Sequence, residues 1–375
     1  MSKAAELAAL IGSQTALSNR NLIINGAMQV SQRGTSFASI ASNTYTLDRW
    51  QLQAAGAGRS TITQSTTVPN NNFVYSMKVD VTTADTSLAT TDLQSFTQRM
   101  EGNVVSQIGL GTSSAKSFTV SFWVRSNKTG TYCVSIRNVS GTRSIASEYS
   151  ISSADTWEHK EVTFSGDTTG SYNTGNAEAF NVNFVLLAGT NYDGKTANTW
   201  EANTNFATDN QVNLFDSTSN DWYITGVQLE VGEQATPFEH WSFAEEWDRC
   251  QRYCTVYNVG GGNTHGQNLV SPNHTVPGAA AHVDVGNRAE WFMSYPVKRS
   301  QPTITVTDPT NMRWLANGNV VVDANGSVTF PVGTGHQNAN VFQGVPSSIS
   351  TSSVPEGWLY KGSGTNPVIT IDAEL

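Results

Sequence analysis

Two neighbouring runs, SFTVSFWVRS (117–126) and TYCVSIRN (131–138), alternate apolar and polar residues on either side of the turn NKTG. A period of two is the signature of a strand with one buried face, and no helix gathers such a pattern on one side. Phe118, Val120, Phe122 and Val124 fall on one face; Thr119, Ser121 and Arg125 fall on the other, with Trp123 among them. In the second run Tyr132, Val134 and Ile136 face inward and leave Cys133 on the opposite side. NVNFVLLAG and DWYITGVQLEVG repeat the pattern with Val182, Phe184 and Leu186, then Tyr223, Val227 and Leu229. Loops such as SGDTTGSYNTGN lie between them. Many short alternating strands joined by Gly-, Asn- and Asp-rich turns predict an all-β fold, with an antiparallel jelly-roll sandwich over residues 21–236.

The alternation resumes in QPTITVTD, NVVVDANGSVTF and NPVITIDAEL, which predicts a second, smaller β-sandwich over 259–375. Asn317–Gly318 and Asn325–Gly326 are each expected to turn a hairpin, since Asn-Gly suits a type I′ turn. Between the two β regions stands TPFEHWSFAEEWDRCQRYC (236–254), where helix signals concentrate. Ser242 and Glu245 form an S-x-x-E capping box, and Phe243, Trp247, Cys250 and Cys254 fall on one apolar helical stripe. An inter-domain helix packed through those four residues is expected within 237–258. Its cysteines read as small buried hydrophobes: an i, i+4 pair sits awkwardly for a disulfide, and a zinc site needs two further soft ligands. Residues 1–20 hold a short N-terminal helix with Leu7, Leu10 and Ile11 on one side and Gly12 as a stop. A helix of about ten residues is marginal alone in water, so this one reads as a docking or oligomerisation element.

Composition narrows the function. Charged residues make up 14% of the chain, against about a quarter in an ordinary soluble protein, and Ser, Thr, Asn and Gly fill the gap. That balance suits a β-rich extracellular or virion surface better than a helix-rich metabolic enzyme. A net charge of −9 and the lack of any Lys/Arg run argue against nucleic acid as the main partner. Three cysteines, Cys133, Cys250 and Cys254, cannot make a disulfide framework in a chain this size, which fits assembly in a reducing cytoplasm. No run reaches the ~20 apolar residues of a membrane helix, so membrane insertion is not expected. Glu6 interrupts the apolar region of MSKAAELAALIGS, which is therefore not read as a signal peptide.

No G-x-S-x-G, H-E-x-x-H, Walker or Rossmann pattern is present. Glu101, Glu158, Glu161, Glu201 and Asp221 could supply a glycosidase pair, but any acidic chain offers such pairs, and that class is defined by a separation in space. His265, His274 and His282 match no helix face or tight turn and read as solvated loop residues. Loop Asp and carbonyl oxygens are compatible with a structural calcium ion, yet no D-x-D-x-D-G signature supports one. No catalytic residue, metal or cofactor is expected. The better lead is aromatic residues in polar loops: Tyr192 and Trp200 in GTNYDGKTANTWEANTN, then Trp291, Trp314 and Trp358. An exposed ring flanked by amides and hydroxyls makes a sugar-stacking platform, with the C–H face of the sugar on the π-face of the ring. These five residues are the candidate carbohydrate-binding set.

Three segments carry a resemblance. NLIINGAMQVSQRG (21–34), YTLDRW (45–50) and GVQLEVGEQATPFEHWSFAEEWDRCQRY (226–253), with weaker echoes in SYPVKRSQPTITV and VITIDAEL, resemble a recurrent bacteriophage virion module. It is found in tail fibres and related receptor-binding proteins of tailed phages. The resemblance implies a carbohydrate-binding-like jelly roll, a helix and a variable distal β domain, usually in a homotrimer. It transfers no binding residue, because Asn25 and Gly26, Asp48 to Trp50, and Cys250 to Tyr253 read as structural. Cys254 departs from the pattern where an aromatic is expected.

The expectation is a non-enzymatic tail-fibre or spike subunit, assembled in the bacterial host cytoplasm and resident in the virion. It would join other tail or capsid proteins through the N-terminal helix and contact host surface polysaccharide through its distal part. The alternative is a capsid-attached head fibre or decoration protein with a mainly structural role. A polysaccharide depolymerase comes third, lowered by the sparse charges and the missing motif.

Overall fold

The computed structural model describes residues 19–258 except 41 and 204, residues 288–307 and 368–375, and the short stretches 270–271, 274–275, 281–284, 312–316, 320–323, 328–329, 341–346 and 357–361. Leu7, Leu10 and Ile11 lie outside the described residues. The chain divides into two compact units, Met1–Trp247 with Leu375, and Asp248–Glu374.

The described residues of the first unit contain twelve strands: β1 Ser36–Ala38, β2 Thr44–Tyr45, β3 Gln51–Ala55, β4 Arg59–Ser65, β5 Ser76–Thr83, β6 Leu93–Glu101, β7 Phe118–Ser126, β8 Gly130–Asn138, β9 Ser144–Ile151, β10 Glu158–Phe164, β11 Glu178–Ala188 and β12 Asp221–Val231. They form two six-stranded antiparallel sheets, a front sheet ordered β1-β4-β5-β12-β7-β10 and a back sheet ordered β2-β3-β6-β11-β8-β9. This is the jelly-roll sandwich that the alternation predicts. Its core includes the inward residues read from the sequence: Phe118, Val120, Phe122 and Val124 from β7, Tyr132, Val134 and Ile136 from β8, and Val182, Phe184 and Leu186 from β11. Phe184 sits among aromatic rings, with centroids 6.0 Å from Trp50, 5.0 Å from Phe122 and 6.3 Å from Trp222.

One strand departs from strict alternation. In β12, Trp222 and Ile224 point into the core before the bend, and Val227 and Leu229 do so after it. Tyr223, expected inside, lies on the outer face, where the Arg125 guanidinium and Lys78 ammonium stand over its ring at 4.8 and 5.7 Å. The cause is a bulge: Thr225 pairs with Trp123 but the next β7 pairing is Gln228 with Ser121, and Gly226 takes φ +63° between them. One extra residue reverses which parity faces inward.

The motif residues of the resemblance interlock in a buried polar lock. The Asn25 side chain donates to the carbonyls of Val30 (2.8 Å) and Asp48 (2.9 Å) and accepts from the Val30 N–H (2.9 Å). The Trp50 indole N–H donates to the Asn25 carbonyl, and the Asn25 N–H donates to Glu246 at 2.6 Å. Asn21 accepts from the Leu229 N–H through its side-chain oxygen, and its own N–H donates to Glu239. These side chains satisfy backbone groups that would otherwise be stranded away from water.

In the second unit every described strand pairs antiparallel. Val368–Asp372 is flanked by Cys254–Asn258 and Thr303–Thr307; Arg288–Ser294 pairs with Ala281–Asp284 and Val341–Pro346; Met312–Ala316 pairs with Val320–Asp323 and Gly357–Lys361. The strands flanking Asn317–Gly318 do pair as a hairpin. Those flanking Asn325–Gly326 do not: Val328–Thr329 pairs with Val341–Pro346 instead.

The helix is shorter than expected, Phe243–Gln251. Its capping box forms, with the Ser242 hydroxyl accepting from the Glu245 N–H at 3.3 Å and the Ser242 N–H donating to the Glu245 carboxylate at 3.1 Å. The four-residue stripe, however, does not hold. Cys254 opens a strand, paired with Asp372, and Phe243 is 50% exposed with its ring 5.8 Å from Trp247. The β-branched Thr255–Val256 run and a ready sheet partner end the helix before Cys254. Cys250 and Cys254 are buried and lie outside any disulfide.

Candidate functional site

The outer face of the front sheet carries a cleft of about 570 Å³, within the usual size of a small-ligand site. Its floor follows from strand parity. With Phe122 and Val124 turned into the core, Trp123 on β7 must face out, and with Val162 and Phe164 inside, so must His159 and Glu161 on β10. The register places His159 opposite Trp123, with ring centroids 5.1 Å apart. On the other side Trp123 faces Thr225 and the bulge glycine. A Cβ at Gly226 would lie 2.7 Å from the Phe73 ring and 3.2 Å from Trp123, so glycine is required by both its φ and the close approach of two rings.

Two loops wall the cleft. In the first, the Asn72 N–H donates to the Asn70 side chain and the Phe73 N–H to the Asn70 carbonyl, which turns Phe73 over Gly226 at 5% exposure. The second, Ala235 to His240, is tied to β12. Glu230 accepts from the Thr236 N–H (2.8 Å) and hydroxyl (2.7 Å), and Gln228 accepts from the Glu239 N–H (2.8 Å). This tether presents Phe238 and His240, whose rings cluster with Phe73 at 4.8–5.3 Å.

The electrostatics are simple. Burial lowers both His159 and His240 below the ordinary imidazole value, with Glu161 opposing the shift at His159, so both rings are mainly neutral at pH 7. The Glu161 carboxylate, 3.5 Å from His159 Nδ1 and 53% exposed, is the single formal charge among the described lining residues. The Arg20 guanidinium donates to the Thr236 hydroxyl of the cleft wall at 2.8 Å, while Lys78 and Arg125 are held by Asp80 at 2.8 Å and Asp155 at 2.6 Å. Their stacking covers Tyr223, which is 7% exposed, and leaves Trp123 as the half-buried indole open to the cleft.

None of the five carbohydrate candidates is among the described lining residues. Tyr192 is half-buried and packs edge-on against Phe206 at 5.6 Å. Trp200 donates its indole N–H to the Ser165 carbonyl at 2.7 Å, with the Arg143 guanidinium 5.9 Å from its ring. Trp291, Trp314 and Trp358, read as loop residues, lie in strands Arg288–Ser294, Met312–Ala316 and Gly357–Lys361, and their side chains are outside the described residues. So is His265; His274 and His282 lie in strands. Among the described residues no group of three or more His, Cys, Asp or Glu converges as for a metal ion. Trp123 was marked outward by the alternation itself. The signal that would have singled it out is its neighbour Gly226, an interruption of β12 directly across the sheet.

No family model matches the chain, and no curated protein matches it. Among solved structures, it is similar to a putative sugar binding protein from Bacteroides thetaiotaomicron, at 14% identity and TM-score 0.35 over 57% of this chain and 100% of that one. It is also similar to a family 11 carbohydrate-binding module from Clostridium thermocellum, at 12% identity and TM-score 0.27 over 54% and 98%. A third likeness is to the enzymatically active domain of bacteriophage CBA120 tailspike protein 4, at 16% identity and TM-score 0.29 over 57% of this chain and 22% of that one. At these scores the fold rests on the strand pairing described above.

Proposed function

We propose that the protein is a glycan-binding β-sandwich whose ligand lies in the front-sheet cleft, serving as a tail-fibre or spike subunit by which a tailed phage attaches to host surface polysaccharide. The observation that carries the glycan reading is Trp123: an indole presented from a rigid strand, backed by a side-chain-free glycine, beside the amides of Asn70 and Asn72. A flat ring takes the C–H face of a sugar, and neighbouring polar groups take its hydroxyls. The virion reading is supported by the three motif segments, whose interlocked side chains form the polar lock. In this reading the chain works as a homotrimer in the particle, docked through Leu7, Leu10 and Ile11, and weak sites gain avidity by repetition. It binds without cleaving, which fits one carboxylate, Glu161, among the described lining residues where a glycosidase pair needs two. The test is binding of the purified chain to a panel of bacterial surface polysaccharides, with Trp123→Ala alongside. Saturable binding lost in a folded W123A variant supports the reading; equal binding by both proteins removes the cleft from it.

A further inference from the structure

The class of glycan follows from what the cleft contains. Three carbocyclic rings, Trp123, Phe73 and Phe238, border it, and the negative face of each attracts a cation. Glu161 stands among them with a side chain 53% exposed, and its ion-pair partner among the described residues is His159, a group that carries little positive charge at pH 7. Because His159 touches both the Trp123 ring and Glu161, the ring and the carboxylate flank one imidazole, close enough to be reached by a single sugar residue. No Lys or Arg is among the described lining residues, and Lys78 and Arg125 on the same face already hold Asp80 and Asp155. The Arg20 guanidinium at the rim is turned to the Thr236 hydroxyl and the Pro237 carbonyl, so a uronate, sulfate or phosphate group on the floor would meet the Glu161 carboxylate with no lining cation to offset it.

We propose that the cleft takes a saccharide bearing a free primary amine, with its ammonium group over the His159 ring, in reach of the Glu161 carboxylate and the Trp123 face. This rests on the glycan reading above and assigns its substrate class. The chain's net charge of −9 adds a long-range preference of the same sign. Cation–π attraction and a charge-assisted hydrogen bond each contribute on the order of a kcal/mol at a part-exposed site, so a preference of about tenfold or more over the acetylated sugar is expected.

The experiment is calorimetric titration of the full chain at pH 7 with three probes: the glucosamine trisaccharide, its fully N-acetylated counterpart and a galacturonic acid trisaccharide. The expected result is that the amine probe binds about tenfold tighter than the acetylated one, that the acidic probe does not bind, and that added salt weakens only the amine probe. Glu161→Gln, which keeps the shape, should bring the amine probe down to the acetylated one. Acetylated and amine probes binding equally, or E161Q leaving the preference intact, overturns the amine assignment while the glycan reading stands. Amine binding that survives Trp123→Ala overturns the assignment to this cleft. No binding by any probe also overturns it, and the polysaccharide panel then judges the glycan reading separately.

Discussion

The two outer faces of the sandwich are built alike and end differently. Both are the polar sides of six-stranded antiparallel sheets, and both carry aromatic residues. On the β8–β9 side of the back sheet, the described residues of segment 189–213 fold over the face and roof it. Phe206 and Ala207 pack on Cys133 and Val185, Tyr192 closes against Phe206, and the Arg137 guanidinium lies 3.9 Å from the Phe206 ring centre. On the front sheet the two loops stand at the sides and leave Trp123 between them. An aromatic ring near a surface is thus packing material where a segment covers it and a platform where only walls surround it. The surrounding composition is the same polar mixture in both places, so composition does not separate them.

The largest effect expected from breaking this contrast is on the roof. Phe206→Ala removes a buried ring and its contact with the Arg137 guanidinium at once and should cost about 3–5 kcal/mol, read as a fall in the denaturation midpoint, with glycan binding by the remaining folded protein unchanged. The converse change, Trp123→Ala, should weaken glycan binding by about 10- to 100-fold, the scale of one stacking ring, while stability shifts by less than about 1 kcal/mol. Should W123A instead unfold the protein and F206A abolish binding, the assignment of the two faces is reversed. Gly226→Ala tests the floor between them. A side chain forced to φ +63° against two rings should cost about 1–2 kcal/mol and weaken binding as well, because Phe73 and Trp123 must part.

Acid should loosen the roof. Burial by itself raises the Glu201 carboxyl, but hydrogen bonds from Thr196 and Asn203 and the Lys195 ammonium outweigh it and hold the group down to about 2. A depressed carboxylate contributes stability that is complete above its ordinary value of 4.5 and is lost as pH falls through about 2. For a side chain 23% exposed, solvent screening leaves about 1 kcal/mol. Denaturation midpoints measured from pH 6 to 2 should fall along that range in the wild type and fall less in Glu201→Gln.

How much of this was legible in the sequence follows from the same contrast. Strict alternation gave the inward faces of β7, β8 and β11 residue by residue, because a two-residue period leaves no freedom once one face is buried. It misplaced Tyr223 because a bulge glycine is silent in a hydrophobic pattern. The apolar helical stripe likewise ran on to Cys254, because pairing with Val368–Asp372 is a contact more than a hundred residues away in sequence. The site was half legible. Trp123 was placed on an outer face, but which face stays open depends on Lys195, whose ammonium donates to the Ser144 carbonyl and pairs with Glu201 to pin the roof. No local pattern around Tyr192 or Trp200 announces that tether. His159 and Glu161 join Trp123 through strand register alone.

The smallest effect sharpens the comparison most. Trp200 combines the marks of a sugar platform, an indole among Asn, Thr and Glu, with the marks of packing, since its N–H is bonded to Ser165 and its body rests on the core. Trp200→Phe keeps most of the apolar body and deletes that one hydrogen bond. The Ser165 carbonyl belongs to an exposed residue and can turn to water, so the loss should be only about 0.5–1 kcal/mol. Glycan binding should not change, because Trp200 lines no part of the cleft. A variant with unchanged stability and binding weakened tenfold would make Trp200 a second platform on the roofed side. The two faces would then differ in degree, and the open cleft would be one of two sites on the sandwich.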